Sequence, residues 1–286
     1  MSGEREIRSK IHSVQNLQKI THAMQMVAAA KMRRAQERMQ AARPYAEQIG
    51  RLAAHIGASY SEYRHPFLEN RAGGNEAFIV ITTDKGLCGG LNSGVLRLTL
   101  SLAKGLPNTE RPLYALLGTR GLGVLHQADL NVFMHVNQFG ENPTTDTVIG
   151  PVTALREAFF NGEINRLSIV SNKFINTMRQ EPTVQVLLPL PPTPDDFPVS
   201  RWDYIYEPEP RELLDTILNR YLEAIVYGAL VENIACEQSA RMVAMRAAYD
   251  NAGEVIDELR LHYNKMRQAS VTQELAEIVG GAAAVS

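Results

Sequence analysis

Residues 242–266 read MVAMRAAYDNAGEVIDELRLHYNKM. Within this stretch Met242, Met245, Tyr249, Ala252, Ile256, Leu259, Tyr263 and Met266 fall at alternating spacings of three and four. That is an apolar seam of period 3.5, the mark of a helix that winds about another helix. Arg246, Asp250, Glu254, Asp257, Arg260 and Lys265 lie off the seam. The stretch belongs to a longer one: from Arg211 to Val279 there is no proline, and only Gly228 and Gly253 interrupt. A helix of that length would run about 100 Å, far beyond an ordinary globular helix.

The other end of the chain answers it. Glu4 to Arg43 holds neither glycine nor proline, enough for a helix of about 60 Å. Ile7, Ile11 and Val14 keep the seam spacing, as do Ala28, Met32, Ala35, Met39 and Ala42. Between them two registers stay open. Continuing the spacing puts polar Gln18, Thr21 and Gln25 on the seam; shifting it puts Leu17, Ile20, Met24 and Val27 there. An amphipathic helix must bury its stripe against something, and the nearest partner is the opposite end of the same chain. Pro44 interrupts the first helix, which is expected to continue to about Tyr63; Pro208 and Pro210 open the last. Ser270 and Gln273 fit a capping box, so two readings stay open: a break at Ser270, or a continuous helix with those side chains solvated.

From Glu76 the period changes. AFIVITT at 77–83 is a continuous apolar, β-branched run, as in a strand buried on both faces. Further strands are expected at 113–117, 131–136, 167–170 (reaching toward Ile175) and 184–188, with helices at 93–104, 121–127 and 147–160 between the earlier ones. Alternating strands and helices imply a mostly parallel sheet. No helix separates the last two strands, so they are expected to pair antiparallel. WDYIY at 202–206 is one more short extended piece. The fold class is α/β: a long antiparallel coiled coil of N- and C-terminal helices with an inserted Rossmann-like α/β domain. The expected divisions are 1–63, 76–206 and 208–286.

Composition narrows the function. The 286 residues are 45% hydrophobic and 21% charged, with net charge −2, so the chain folds and has no global attraction to nucleic acid. Residues 4–43 hold nine Lys/Arg against three Asp/Glu, and residues 195–215 hold seven Asp/Glu against two Lys/Arg. Such local imbalance suits charged partner surfaces. Cys88 and Cys236 form no metal spacing or disulfide framework, which points to a reducing compartment. No apolar run approaches the roughly 20 residues that span a bilayer. The charged N-terminus is not a secretory signal and is taken as mature structure.

Catalytic patterns are missing. The turn Gly86-Leu-Cys-Gly89-Gly90 follows a strand and invites an anion-cradle reading. It lacks the Gly-Lys-Ser/Thr end of a phosphate loop and the spacing of a dinucleotide fingerprint, so a tight strand-to-helix turn is the default. The histidines show no paired-ligand spacing, no nucleophile elbow exists, and Asp195-Asp196 sits among prolines. Methionines on both end helices fit gap-filling in a coil, or an adaptable surface that slides against a partner.

Three segments carry a resemblance. ITHAMQMVAAAKM at 20–32, VTQELAEIVGGA at 271–282 and DKGLCGGLN at 84–92 resemble the N-terminal signature, C-terminal signature and glycine-rich turn of the gamma subunit of F-type ATP synthases. The likeness extends over the whole chain, including SNKFIN at 171–176 and WDYIYEP at 202–208. It implies a non-catalytic rotor without a cofactor or metal. The paired end helices would be the shaft inside a ring of three alpha–beta subunit pairs. The α/β insert would be the base, near the epsilon subunit and the membrane c-ring. Proton flow would turn ring and shaft together and drive ATP synthesis, hydrolysis would reverse it, and the rotor would regulate both ATPase activity and proton flow. Met24, Lys31, Arg33, Arg34, Arg241, Gln268, Thr272 and Glu274 match shaft positions that meet the ring. Tyr204, Tyr206 and Glu207 match the foot beside epsilon and the c-ring. No cysteine-pair insertion of the chloroplast kind and no transit peptide is seen, which implies a bacterial protein, peripheral on the cytoplasmic side of the inner membrane. A non-motor coiled-coil scaffold with an α/β head, and a nucleotide-dependent enzyme using the Gly86–Gly90 turn, stay as alternatives.

Overall fold

The computed structural model describes residues 2–59, 65–69, 71, 74–107, 111–190 and 210–285. The extended piece at 202–206, the foot residues Tyr204, Tyr206 and Glu207, Asp195-Asp196 and the continuation of the first helix to Tyr63 lie outside the described residues. The elements are α1 (Ser2–Ser59), a short 3₁₀ turn (Pro66–Leu68), β1 (Glu76–Ile81), α2 (Leu91–Gly105), β2 (Leu113–Leu117), α3 (Leu122–Gln127), β3 (Asn131–Val136), α4 (Asp146–Phe160), β4 (Arg166–Asn176), β5 (Arg179–Leu188) and α5 (Pro210–Val285). Pro44 lies inside α1 without ending it. α5 passes through Gly228, Gly253 and Ser270 unbroken.

The chain packs as two units, one of residues 30–240 and one of Met1–Ala29 with Arg241–Ser286. In the first, the sheet order is β3-β2-β1-β4-β5. β1 pairs parallel with β2 and β4, β2 parallel with β3, and β4 antiparallel with β5. β1 shows why its sequence is apolar without alternation. Phe78 and Val80 face one way, into a cluster with Tyr114, Leu116, Val95, Leu96 and Leu125. Ala77, Ile79 and Ile81 face the other way, among Val152, Leu155, Phe159, Leu222, Val226 and Leu230. Both faces are covered, so neither needs polar residues. The second cluster has a further consequence. Residues 218–235 of α5 form a wall of the sheet domain's own core, and Ala35 of α1 joins them.

β5 begins earlier than its apolar run suggests, at Arg179 rather than Val184. Its first half pairs only with β4, as a two-stranded ribbon running on past the end of the sheet. A ribbon half in solvent needs no apolar alternation, and Pro182 is tolerated there as on an edge strand. α2 likewise starts at Leu91, two residues before the expected position, with Gly90 at its N-cap.

The second unit is a helix pair. Gln18 Nε2 donates to the Tyr249 carbonyl at 3.5 Å, and the His22 and Tyr249 rings lie 5.1 Å apart. A side chain at Gly253 would meet Gln18 Nε2 at 3.2 Å. Advancing along α1 from 18 to 22 therefore retreats along α5 from 253 to 249, so the two helices are antiparallel. Met245, Ala252 and Ile256 are buried on α5, and Thr21 and Ala28 on α1.

Candidate partner-docking surfaces

The open question of register has a definite answer. Gln18, Thr21, Gln25 and Ala28 are inward, in line with Ile7, Ile11 and Val14. Leu17, Ile20, Met26 and Val27 point away and are 54%, 56%, 59% and 52% exposed; Met24 is half-buried. Between residues 17 and 27 the helix is thus polar toward its partner and apolar toward the outside. Small and polar residues allow close approach of the two backbones here: Gly253 leaves the space that Gln18 fills, and Thr21 Oγ1 bonds its own helix at Gln18 O, 2.9 Å away. The outward stripe is an unpartnered apolar surface on a helix, the kind that marks a binding face. Covering one such aliphatic side chain is worth about 1.5–3 kcal/mol.

Beyond the stripe the charge changes. Residues 11–30 contain a single charged side chain, Lys19, whereas residues 31–38 contain Lys31, Arg33, Arg34, Glu37 and Arg38. Arg33 is exposed, 3.7 Å from Glu37 one turn on, and Arg34 is exposed. Lys31 bonds the Glu141 carboxylate. Arg241 is nearly buried and engaged within the chain. Gln268, Thr272 and Glu274 are exposed, with Thr272 Oγ1 bonding Gln268 O at 2.8 Å. From 271 to 280 every residue of α5 is exposed, including Val271, Leu275, Ile278 and Val279.

The glycine-rich turn is occupied with its own architecture. Asn92 Oδ1 accepts from Thr83 N at 3.1 Å, and its Nδ2 donates to Thr83 Oγ1 at 2.7 Å. Leu87 and Gly89 both adopt positive φ, +64° and +58°, which folds the turn back so that Cys88 points inward. Cys88 packs with Leu91, Phe174, Cys236 and Ala240, so the turn seats on α5. A second junction reinforces it. Asn233 Oδ1 accepts from Asn172 Nδ2 at 2.8 Å, Phe174 N donates to Glu232 Oε1 at 2.9 Å, and Cys236 Sγ donates to Asn172 O at 3.5 Å. Burial pushes the Cys236 thiol pKa far up, with Glu232 adding to it, so this thiol stays protonated. Among the described residues no group of His, Cys, Asp and Glu has metal-ligating geometry, and no helix is long and apolar enough to cross a membrane.

A family model described as ATP synthase matches residues 3–285. The chain belongs to the gamma-subunit family of F-type ATP synthases. Members of this gamma family are non-catalytic central-stalk rotor subunits, and this chain is one of them. Solved structures agree on the fold. The chain is similar to one from the central stalk and c-ring of the Tetrahymena thermophila mitochondrial ATP synthase, at 25% identity and TM-score 0.61, covering 80% of this chain and 99% of that one. A chain of the Euglena gracilis mitochondrial ATP synthase rotor, in rotational state 1, matches at 18% identity and TM-score 0.67, over 94% and 99%. Another, from the Euglena gracilis OSCP/F1/c-ring assembly in rotational state 3, matches at 19% identity and TM-score 0.70, over 99% and 95%.

Sequence reasoning on this gamma-family chain missed several residues. Glu141 sits in an unremarkable loop, and Asn172 and Asn233 are sixty-one positions apart. His65 is fully buried; its Nδ1 accepts from Phe67 N at 3.1 Å, which leaves Nε2 to donate to Asp215 at 2.6 Å. A buried histidine beside Pro66 carries no signal in one sequence. The exposed stripe was legible as one of two registers, and only packing chose between them.

Proposed function

We propose that this rotor subunit works between a c-ring and three alpha–beta pairs of a proton-translocating ATP synthase, peripheral to a bacterial inner membrane on its cytoplasmic side. The observation that carries the reading is the inverted helix pair. Residues 2–29 bind α5 through a partly polar seam and turn Leu17, Ile20 and Val27 outward, as an axle enclosed by other subunits requires. The ring meets this apolar stripe with Met24, the exposed cations Arg33 and Arg34, and Gln268, Thr272 and Glu274 on α5. Lys31 and Arg241, already engaged within the chain, act by orienting their neighbours. Tyr204, Tyr206 and Glu207 belong to the foot beside epsilon and the c-ring. Residues 1–63 and 208–286 serve as shaft and 76–206 as base. The Gly86–Gly90 turn serves to seat the base on α5 rather than to hold an anion.

A single asymmetric axle among three equivalent sites must favour a different state at each. Shifting one site from 1:99 to 99:1 needs about 5.5 kcal/mol of differential contact, which several apolar and charge-assisted contacts together can supply. The test is ATP-driven rotation of a probe on Met178→Cys. Met178 is 75% exposed and both native thiols are buried, so the label goes to one place. Stepwise turning in the assembled enzyme is expected, and its coupling to ATP turnover should fall several-fold when Arg33 and Arg34 are both changed to Glu. A hydrolysing complex whose probe stays still would refute the rotor assignment; unchanged coupling in the charge-reversed enzyme would remove the cations from it.

A further inference from the structure

We propose that residues 138–143, between β3 and α4, form a strap that passes torque between the sheet domain and α1, with Glu141 as its positioning residue. The inference rests on the rotor reading and specifies how force crosses within the unit of residues 30–240.

Three bonds tie the strap to two helices. Lys31 Nζ donates to the Glu141 carboxylate, and Arg38 Nη1 donates to the Glu141 carbonyl oxygen at 2.6 Å. Lys31 and Arg38 are seven residues apart, two turns on the same face of α1. The Tyr227 hydroxyl of α5 donates to the Pro143 carbonyl at 3.3 Å. Gln138 and Gly140 hold left-handed φ, +57° and +68°, and this double bend carries Glu141 across to α1. At its two ends the strap continues into elements that cannot move freely. β3 is hydrogen-bonded in the sheet, and α4 buries Val148, Val152, Leu155 and Phe159 in the core.

α1 also meets this core through apolar side chains, at Ala35 and Ile49. Apolar burial resists separation but is non-directional, so it yields to tangential sliding. Charge-assisted hydrogen bonds have fixed geometry and are about twice as strong as neutral ones. The strap therefore resists a load that turns α1 against the sheet in a way that the apolar contacts do not. The pair also sorts the basic cluster: Lys31 and Arg38 turn inward to Glu141, while Arg33 stands on the far side of the helix, exposed.

The experiment uses the assembled, membrane-bound enzyme. Glu141→Gln and Tyr227→Phe should leave assembly intact and move thermal unfolding of the chain only slightly, because a solvent-facing ion pair is worth at most about a fivefold shift in an equilibrium and a single neutral hydrogen bond about as much. Each should lower ATP synthesis per proton-driven turn, and ATP-driven proton pumping per ATP hydrolysed, by roughly two- to fivefold. The double variant Lys31→Glu with Glu141→Lys should recover most of what Glu141→Gln loses. Raised salt should bring the wild type toward Glu141→Gln, since exposed pairs are screened. Wild-type coupling in both single variants would overturn the strap. So would a charge swap that recovers nothing, since Lys31 would then be acting outside the chain. Either result leaves the rotor assignment standing if the Met178→Cys probe still turns; a stationary probe in an active complex defeats that assignment first.

Discussion

At the scale of single residues, Tyr114 is the most informative side chain in the sheet. It is fully buried on β2 and stacks with Phe78, ring centroids 5.4 Å apart at 17°. Its hydroxyl has no hydrogen-bond partner among the described residues. Burial, with a smaller push from the Glu76 charge, raises its pKa from 10 to about 12. The sign follows from linkage: a group whose folded pKa is raised keeps its full contribution below pH 10 and loses it as pH climbs through about 12. Tyr114→Phe keeps the stack and removes an unsatisfied hydroxyl, so it should stabilise the chain by about 1 kcal/mol. It should also flatten the decline in stability between pH 10 and 12. Thermal unfolding followed from pH 8 upward measures both effects; a variant less stable than the parent at pH 8 would mean the hydroxyl has a partner after all. Gly118 shows the opposite constraint. Its φ is +99°, and a Cβ there would stand 2.4 Å from Thr82 O, so the end of β2 accepts only glycine. Glycines also stand at 121 and 123, and nothing in the sequence alone marks Gly118 as the indispensable one.

At the scale of elements, the helix pair is marginal by design of its seam. Three consecutive seam positions of α1, Gln18, Thr21 and Gln25, are polar, and polar seam residues fix register at a cost in stability. Gln18→Leu should therefore stabilise the pair by about 1 kcal/mol, read as a higher midpoint for the unfolding of the helical termini. Leu17→Gln, one residue away but outward, should change that midpoint by less than about 0.5 kcal/mol while weakening association with the other subunits. If the two substitutions had equal effects on the isolated chain, the register described here would be wrong. The existence of both helices was legible because the 3.5 period survives over twenty-five residues of α5. The register of α1 was not, because Leu17, Ile20, Met24 and Val27 have a period as good as the true seam's and better hydrophobicity. Composition favours the wrong face whenever a helix must satisfy an external partner as well as an internal one.

At the scale of the whole molecule, the long C-terminal helix is not attached to the sheet domain but built into it. Leu218, Leu222, Val226, Leu230 and Ile234 complete the core against β1, β4 and β5, and Asn233 and Cys236 are stitched to the end of β4. Both thiols lie at this junction, Cys88 at 2% exposure and Cys236 at 0%. The folded chain should thus react with a thiol reagent only through opening of the junction. Modification should be slow in buffer and accelerate in step with denaturant. Fast labelling of the native chain, with no change in its circular dichroism, would show that the junction is looser than its packing implies.

The amino-acid sequence by itself determined the long terminal helices, the α/β middle, its strand order of appearance and the family signatures, because all of these are local patterns of period and turn chemistry. Tertiary structure alone decided which stripe of α1 faces inward, that α5 is a layer of the sheet domain, and that Glu141, Asn172 and Asp215 hold distant elements together. The physical reason is common to the three. A helix period says that a stripe must be buried but not by what, and a polar side chain becomes a tie only when folding brings its partner within hydrogen-bonding distance.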